Sequence, residues 1–188
     1  GKGLFLEALQ VITAKNPLPF ITGTICAHHC MDKCMRNHYE CPVNIRGTKL
    51  QAAEGAFEEL LAITEMSREG EKVAIIGGGP AGLAAAYHAQ KHGLQATVFE
   101  KRETLGGIVR NVIPGFRIGD DAIDNDIALI KKTGAEFVMG KEAPDVKELK
   151  AMGFDYIVLA CGAEKKGRLN IEGNVMNVID FLYAFKNG

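Results

Sequence analysis

Two groups of residues in this 188-residue chain have the types and spacing to do chemistry. The first is Gly77-Gly78-Gly79-Pro80-Ala81-Gly82, which satisfies G-x-G-x-x-G. Such a run cradles a dinucleotide pyrophosphate when it joins a strand to a helix. Gly77 permits the tight turn. Gly79 has no Cβ, so a phosphate can approach the backbone, and Gly82 lets the helix pack against the strand. The start of that helix adds unpaired N–H groups and a positive dipole. Glu100 follows Gly82 by 18 residues and ends the next apolar run. There its carboxylate can accept hydrogen bonds from ribose 2′- and 3′-hydroxyls. An acid at that place repels a 2′-phosphate, so this loop is expected to hold FAD or NAD and not NADP.

The second group is Cys26-x3-Cys30-x3-Cys34-x6-Cys41-Pro42, four of the five cysteines within sixteen residues. Thiolates are soft ligands that suit iron–sulfur clusters or zinc. Structural zinc sites use two cysteine pairs set well apart, whereas this run is dense and unpaired. Proline after the last cysteine recurs in ferredoxin-type runs. A zinc knuckle and free buried thiols stay open as alternatives. His28 and His29 read as polar loop residues, since four thiolates are already at hand. Cys161, alone at the end of an apolar run, reads as a small packing residue near a cofactor. An odd, clustered count is a poor disulfide framework, which points to a reducing, cytoplasmic setting.

Composition narrows the rest. The chain carries 22 Lys+Arg against 23 Asp+Glu, a charge of −1, with 47% hydrophobic and 24% charged residues. That balance fits a globular chain and excludes a disordered one. It offers no basic surplus for nucleic acid. No apolar run reaches the ~18 residues that span a bilayer, so neither nucleic acid nor membrane is expected as a partner. The opening Gly1-Lys2-Gly3 has no signal-peptide pattern and no Met, as expected of a piece of something longer.

The elements that must position these groups change character near residue 70. Leu4, Phe5, Ala8, Leu9 and Ile12 mark one helix face, which Asn16-Pro17-Leu18-Pro19 should stop. A second helix is expected from Thr48 to Glu65, and Ser67-Arg68-Glu69-Gly70-Glu71 reads as a linker. Beyond it, apolar runs at 73–76, 96–100, 136–139 and 156–160 read as buried parallel strands. Helical patterns lie between them: Pro80 to His92 closed by Gly93, a helix capped by Asp120 and Asp121 and ended by Gly134, and Pro144 to Met152. The expected fold is α + α/β: an all-helical segment of iron–sulfur type over 1–68, then an incomplete Rossmann-like FAD-binding domain with a parallel sheet over 69–188.

This order resembles one family. Asn16-Pro17-Leu18-Pro19, Gly23-Thr24-Ile25-Cys26, Pro42-Val43-Asn44-Ile45 and Val73-Ala74-Ile75-Ile76 before the glycine loop look like the small (β) subunit of NADPH-dependent glutamate synthase. The pattern is shared with the N-terminal electron-input region of dihydropyrimidine dehydrogenase and with fused iron–sulfur flavoproteins of selenate reductase type. Leu105-Gly106-Gly107, Ile113-Pro114-Gly115-Phe116-Arg117, Ala160-Cys161-Gly162-Ala163 and Val178-Ile179-Asp180-Phe181-Leu182 extend the likeness. It implies FAD with its pyrophosphate on Gly77 to Gly82, its ribose near Glu100 and Lys101, and its diphosphate side near Gly107 and Ile108. Arg117 matches a position that contacts FAD.

The resemblance further implies NADPH bound by a domain outside this chain. Hydride passes to the flavin, and single electrons leave through [4Fe-4S] clusters to a downstream domain or subunit. Two departures bear on this. The family spaces its cysteines C-x3-C-x5-C-x3-C, where Thr22 holds the first place here and Cys41 is extra. The chain also stops at Gly188, where a second glycine loop is expected, so the piece alone should be inactive. The rival reading is a zinc-containing, non-enzymatic interaction module with an empty dinucleotide fold. A thioredoxin-reductase-like enzyme would need a C-x-x-C pair, which is absent.

Overall fold

The computed structural model describes residues 2–66, 69–163, 167 and 171–188. Ser67 and Arg68 of the expected linker lie outside the described residues. Among the described residues no helix is long and apolar enough to cross a membrane.

The first helix, α1 (Phe5–Thr13), buries Leu9 and Thr13 against the long helix α4 (Ile45–Ile63). α1 ends before Asn16-Pro17-Leu18-Pro19, as expected, and a further helix follows. Pro19 occupies the first position of α2 (Pro19–Ile25), where its missing N–H costs nothing and its fixed φ suits the helix. Asn16 ties the turn, donating from Nδ2 to Thr22 Oγ1 at 2.7 Å and accepting from Leu18 N–H at 3.3 Å. A short helix α3 (His29–Asp32) and a 3-10 turn (Met35–His38) carry the cysteine segment. α4 starts three residues earlier than expected, because Asn44 caps it by accepting from Gly47 N–H at 3.0 Å. Its backbone is non-helical at Ala56, and Ala53, Phe57 and Leu60 face inward.

The second region begins with β1 (Lys72–Ile76), α5 (Pro80–Lys91) and β2 (Gln95–Glu100). Next come α6 (Gly107–Asn111), α7 (Asp120–Lys132) and β3 (Glu136–Met139). It closes with α8 (Val146–Ala151), β4 (Tyr156–Leu159) and α9 (Val178–Asn187). The strands form a parallel sheet in the order β3-β2-β1-β4, with Ile75 opposite Val98 on one side and Val158 on the other. The chain therefore switches direction between β1 and β4, and the crevice of an open α/β sheet lies at the strand ends there.

Three local expectations need correction. Asp120 and Asp121 do not cap α7. Gly119 holds that place and both acids sit in the first turn, where they meet the helix dipole. α8 starts at Val146 rather than Pro144, because Asp145 caps it in a capping box with Glu148. β4 ends at Leu159, although Ala160 N–H still reaches Ile76 O at 2.8 Å. Gly93 and Gly134 do follow their helices with positive φ, +80° and +96°.

One hydrophobic cluster runs through both regions. Leu9, Phe20, Ile21 and Phe57 of the helical part share it with Val73, Ile75, Leu83, Val98 and Ile127 of the sheet part. The Phe20 and Phe57 rings meet edge to face at 5.0 Å. Asp126 of α7 is buried in this contact and accepts from the N–H groups of Phe20 and Ile21. The other sheet face carries a smaller cluster of Ala74, Phe99 and Leu149. At the far end, α9 leaves Val178, Phe181 and Phe185 exposed and reaches the body through Lys186 Nζ on Ile113 O at 2.8 Å.

Candidate dinucleotide-binding site

The loop after β1 is held by contacts that only glycine permits. Gly77 has φ +113°, and a Cβ there would lie 2.5 Å from Ala160 O. A Cβ at Gly82 would lie 1.8 Å from Gly77 O, so α5 could not seat on the loop with any side chain at that position. Gly79 is different. Its added Cβ would meet nothing closer than Gly107 Cα at 3.8 Å, an ordinary contact. Packing within the chain therefore leaves room at Gly79, which is the space a ligand phosphate needs.

A second glycine segment faces this opening. Gly106 N–H donates to Gly78 O at 2.9 Å, and Gly106 and Gly107 have φ +109° and +54°. A Cβ on Gly107 would lie 2.8 Å from Gly79 Cα. Two backbones devoid of side chains thus flank the start of α5, whose first-turn N–H groups have no intrahelical acceptors. Pro80 is half-buried and Ala81 exposed at this rim, and Ile108 beside it is 47% exposed. α6 opens on that glycine pair, an element absent from the helices expected from the sequence.

Glu100 ends β2 at the same edge. It is buried, with Oε2 accepting from Gly78 N–H at 2.7 Å and Oε1 from Arg102 N–H at 3.0 Å. The carboxylate thus braces the glycine loop, and each oxygen keeps a lone pair for a sugar hydroxyl. Lys101 is exposed beside it. Arg117 is exposed in the turn before α7, its N–H donating to Pro114 O at 2.9 Å. The structure therefore brings together Gly77 to Gly82, Glu100 and Gly107.

The cysteine segment is open. Cys26, Cys30 and Cys41 are exposed, and Cys34 is half-buried. Cys26 Sγ accepts from His28 N–H at 3.4 Å. Backbone N–H groups of Val43 and Arg36 hold the Cys34 thiol below its usual range. His28 has a left-handed φ of +48°, and its Nδ1 is buried with no hydrogen-bond partner. His29 lies near Asp32 at 3.5 Å on the surface. Among the described residues no group of three or more His, Cys, Asp or Glu side chains is placed to hold a metal ion. The four thiols are therefore not gathered into a metal site in this segment as folded, although thiolates are the donor type an iron–sulfur centre takes.

Cys161 departs from expectation. It is exposed at the mouth of the crevice, not packed, its Cα 3.1 Å from where a Gly77 Cβ would stand. Asp126 was missed. The signal lay in its place on the apolar stripe of Ile123, Ile127 and Ile130, where a carboxylate must find a buried partner.

Fold and loop together define a Rossmann-like dinucleotide-binding domain that carries a helical N-terminal segment. The sequence model for the NAD(P)-binding Rossmann-like domain matches residues 75–146. The chain is homologous to YgfK of Escherichia coli (strain K12), provisionally named an oxidoreductase, and to the small chain of NADPH glutamate synthase. It is 37% identical to YgfK over 196 residues, covering the whole chain and 19% of YgfK. The glutamate synthase small chain of Mycobacterium tuberculosis (strain CDC 1551 / Oshkosh) is 33% identical over 92% of the chain and 36% of its own length. The chain thus spans about a fifth to a third of these relatives. Among solved structures, 2-naphthoyl-CoA reductase in complex with 2-naphthoyl-CoA superposes with a TM-score of 0.53 at 28% identity, over 72% of this chain and 21% of that one.

Proposed function

We propose that this chain is the FAD-binding electron-entry module of a longer NAD(P)H-dependent oxidoreductase. The carrying observation is the pair Gly79 and Gly107, two bare backbones facing each other at the sheet's switch point. A simple dehydrogenase loop has one glycine run, whereas a second run lets the chain close over a dinucleotide's diphosphate. When bound, FAD supplies the exchange between a two-electron hydride and single electrons.

The residues of this chain bind and orient. N–H groups at the start of α5 and the dipole of that helix meet the diphosphate, with Gly78, Pro80 and Ala81 shaping the rim. Glu100, fixed by Gly78 and Arg102, receives the ribose hydroxyls, with Lys101 beside it. Ile108 shields the diphosphate side, and exposed Arg117 is the candidate side chain to reach the cofactor from the turn before α7. NADPH binds a domain outside this chain, and electrons leave to a downstream acceptor domain or subunit. Cys26, Cys30, Cys34 and Cys41 are the candidate thiol donors for a [4Fe-4S] cluster. No step is assigned to them, because the fold does not gather them.

Titration of the purified chain with FAD, followed by flavin fluorescence, tests the reading. Saturable quenching that Gly79→Val weakens by about a hundredfold supports it. Binding of NAD with no binding of FAD overturns it in favour of a nicotinamide site.

A further inference from the structure

α2 has no cap of its own. Its N-cap residue is Leu18, which makes no side-chain cap bond, and Pro19 follows. The N–H groups of Phe20 and Ile21 in the first turn are buried and lack intrahelical acceptors. Both are met from across the fold. Asp126 Oδ1 accepts from Phe20 N–H at 3.1 Å and Oδ2 from Ile21 N–H at 2.8 Å. Asp126 has no exposed surface and lies in the middle of α7. At its other end α2 runs directly into Cys26, its C-cap. We propose that Asp126 is the latch that docks the cysteine-bearing segment onto the dinucleotide-binding domain, a positioning residue that sets where Cys26 stands relative to the glycine loop. The latch holds whichever cofactor the loop takes.

The latch carries a titratable group, so docking has a pH dependence of defined sign. Burial pushes the Asp126 carboxyl from 3.8 up to about 7, against the two N–H bonds that favour its charged form. The docked state thus holds the proton more tightly than the undocked one. Docking is strongest below 3.8, weakens as pH rises to about 7, and is level above it.

Other charges stand back from this group. α2 brings no titratable side chain. α4 brings Glu54, Glu58 and Glu59, exposed along the groove beside Phe20 and Asn125. On α7, Asp120 and Asp124 pair with Arg110 of α6, while Asp121, Lys131 and Lys132 are exposed. α5 brings buried Tyr87, half-buried His88 and exposed Lys91. None of them is among the causes of the Asp126 shift.

Amide hydrogen exchange on the full 188-residue chain between pH 5 and pH 8 tests the proposal. Each rate is divided by the intrinsic exchange rate at that pH. Opening at Phe20 and Ile21 should rise about fiftyfold from pH 5 to pH 7 and about twofold more by pH 8, while the β1 amides stay protected. Asp126→Asn keeps one acceptor, turns an NH2 donor toward the other N–H and has no titrating charge, so it should raise opening by a fixed factor with a flat profile. Asp126→Ala should raise opening at both amides at least about tenfold at every pH, spreading to Cys26. A merely structural contact would not give the pH profile or its loss in Asp126→Asn. A flat wild-type profile, parallel slopes in wild type and Asp126→Asn, or wild-type exchange in Asp126→Ala overturns the latch. If Asp126→Ala does not fold, the wild type against Asp126→Asn decides alone.

Discussion

The glycine loop and the cysteine segment are both built from residues suited to redox chemistry, and the fold treats them differently. Around the loop, Gly77 and Gly82 stand where any Cβ would collide with backbone, Gly78 and Gly106 are tied by a 2.9 Å bond, and Glu100 braces the turn from below. Around the cysteines, three of four thiols are exposed, and the segment is held by short turns and a few surface bonds. A site made of backbone N–H groups is finished when the chain folds. A site made of side-chain ligands is finished when an ion draws the ligands together, since metal binding and local folding are coupled.

The largest effect that would sharpen this contrast is expected at Gly82. Gly82→Val forces a side chain into Gly77 O and should destabilise the chain by about 3 kcal/mol or more, read as a loss of the cooperative transition in thermal or denaturant unfolding. Gly79→Val should leave the melting temperature within a few degrees yet weaken dinucleotide binding by about a hundredfold, near 2.7 kcal/mol, because its side chain fills ligand space and not core. Equal stability losses in the two variants would break the distinction between a structural and a binding glycine. Glu100→Gln keeps the shape but weakens a charge-assisted bond to Gly78, at a cost of about 1.5–3 kcal/mol measured by denaturant midpoint. Cys30→Ser, on an exposed side chain, should shift stability by less than about 0.5 kcal/mol in the same assay. A larger loss would mean that the thiol already packs or ligates.

Much of the sheet region was legible in residues close together in the chain. Val73 to Ile76 is a strand because both of its faces are covered, and that makes a continuous apolar run. Gly93 and Gly134 end helices because they take positive φ. Where reading failed, the deciding partner was distant or the signal had two meanings. The prolines after α1 stop that helix as expected, but Pro19 also opens α2, a helix not among those expected. The helix α6 that opens at Gly107 was not among the expected elements. Cys161 reads as a packed small residue, but its neighbours leave it at the rim of the crevice. The apolar residues of α9 mark a helix face, yet nothing local shows that Phe181 and Phe185 stay exposed.

The sequence by itself determined the glycine loop, the alternation of strands and helices, and the acid at the end of β2. Each of these depends on backbone conformation or burial pattern within a few residues. Only the tertiary structure decided that Gly79 and Gly107 face each other, that the four thiols stand apart, and that Asp126 caps a helix 106 residues away. Those are meetings of segments brought side by side by a shared apolar core. Burying that core is favourable in many arrangements, and the hydrogen bonds a buried carboxylate must make help select one of them.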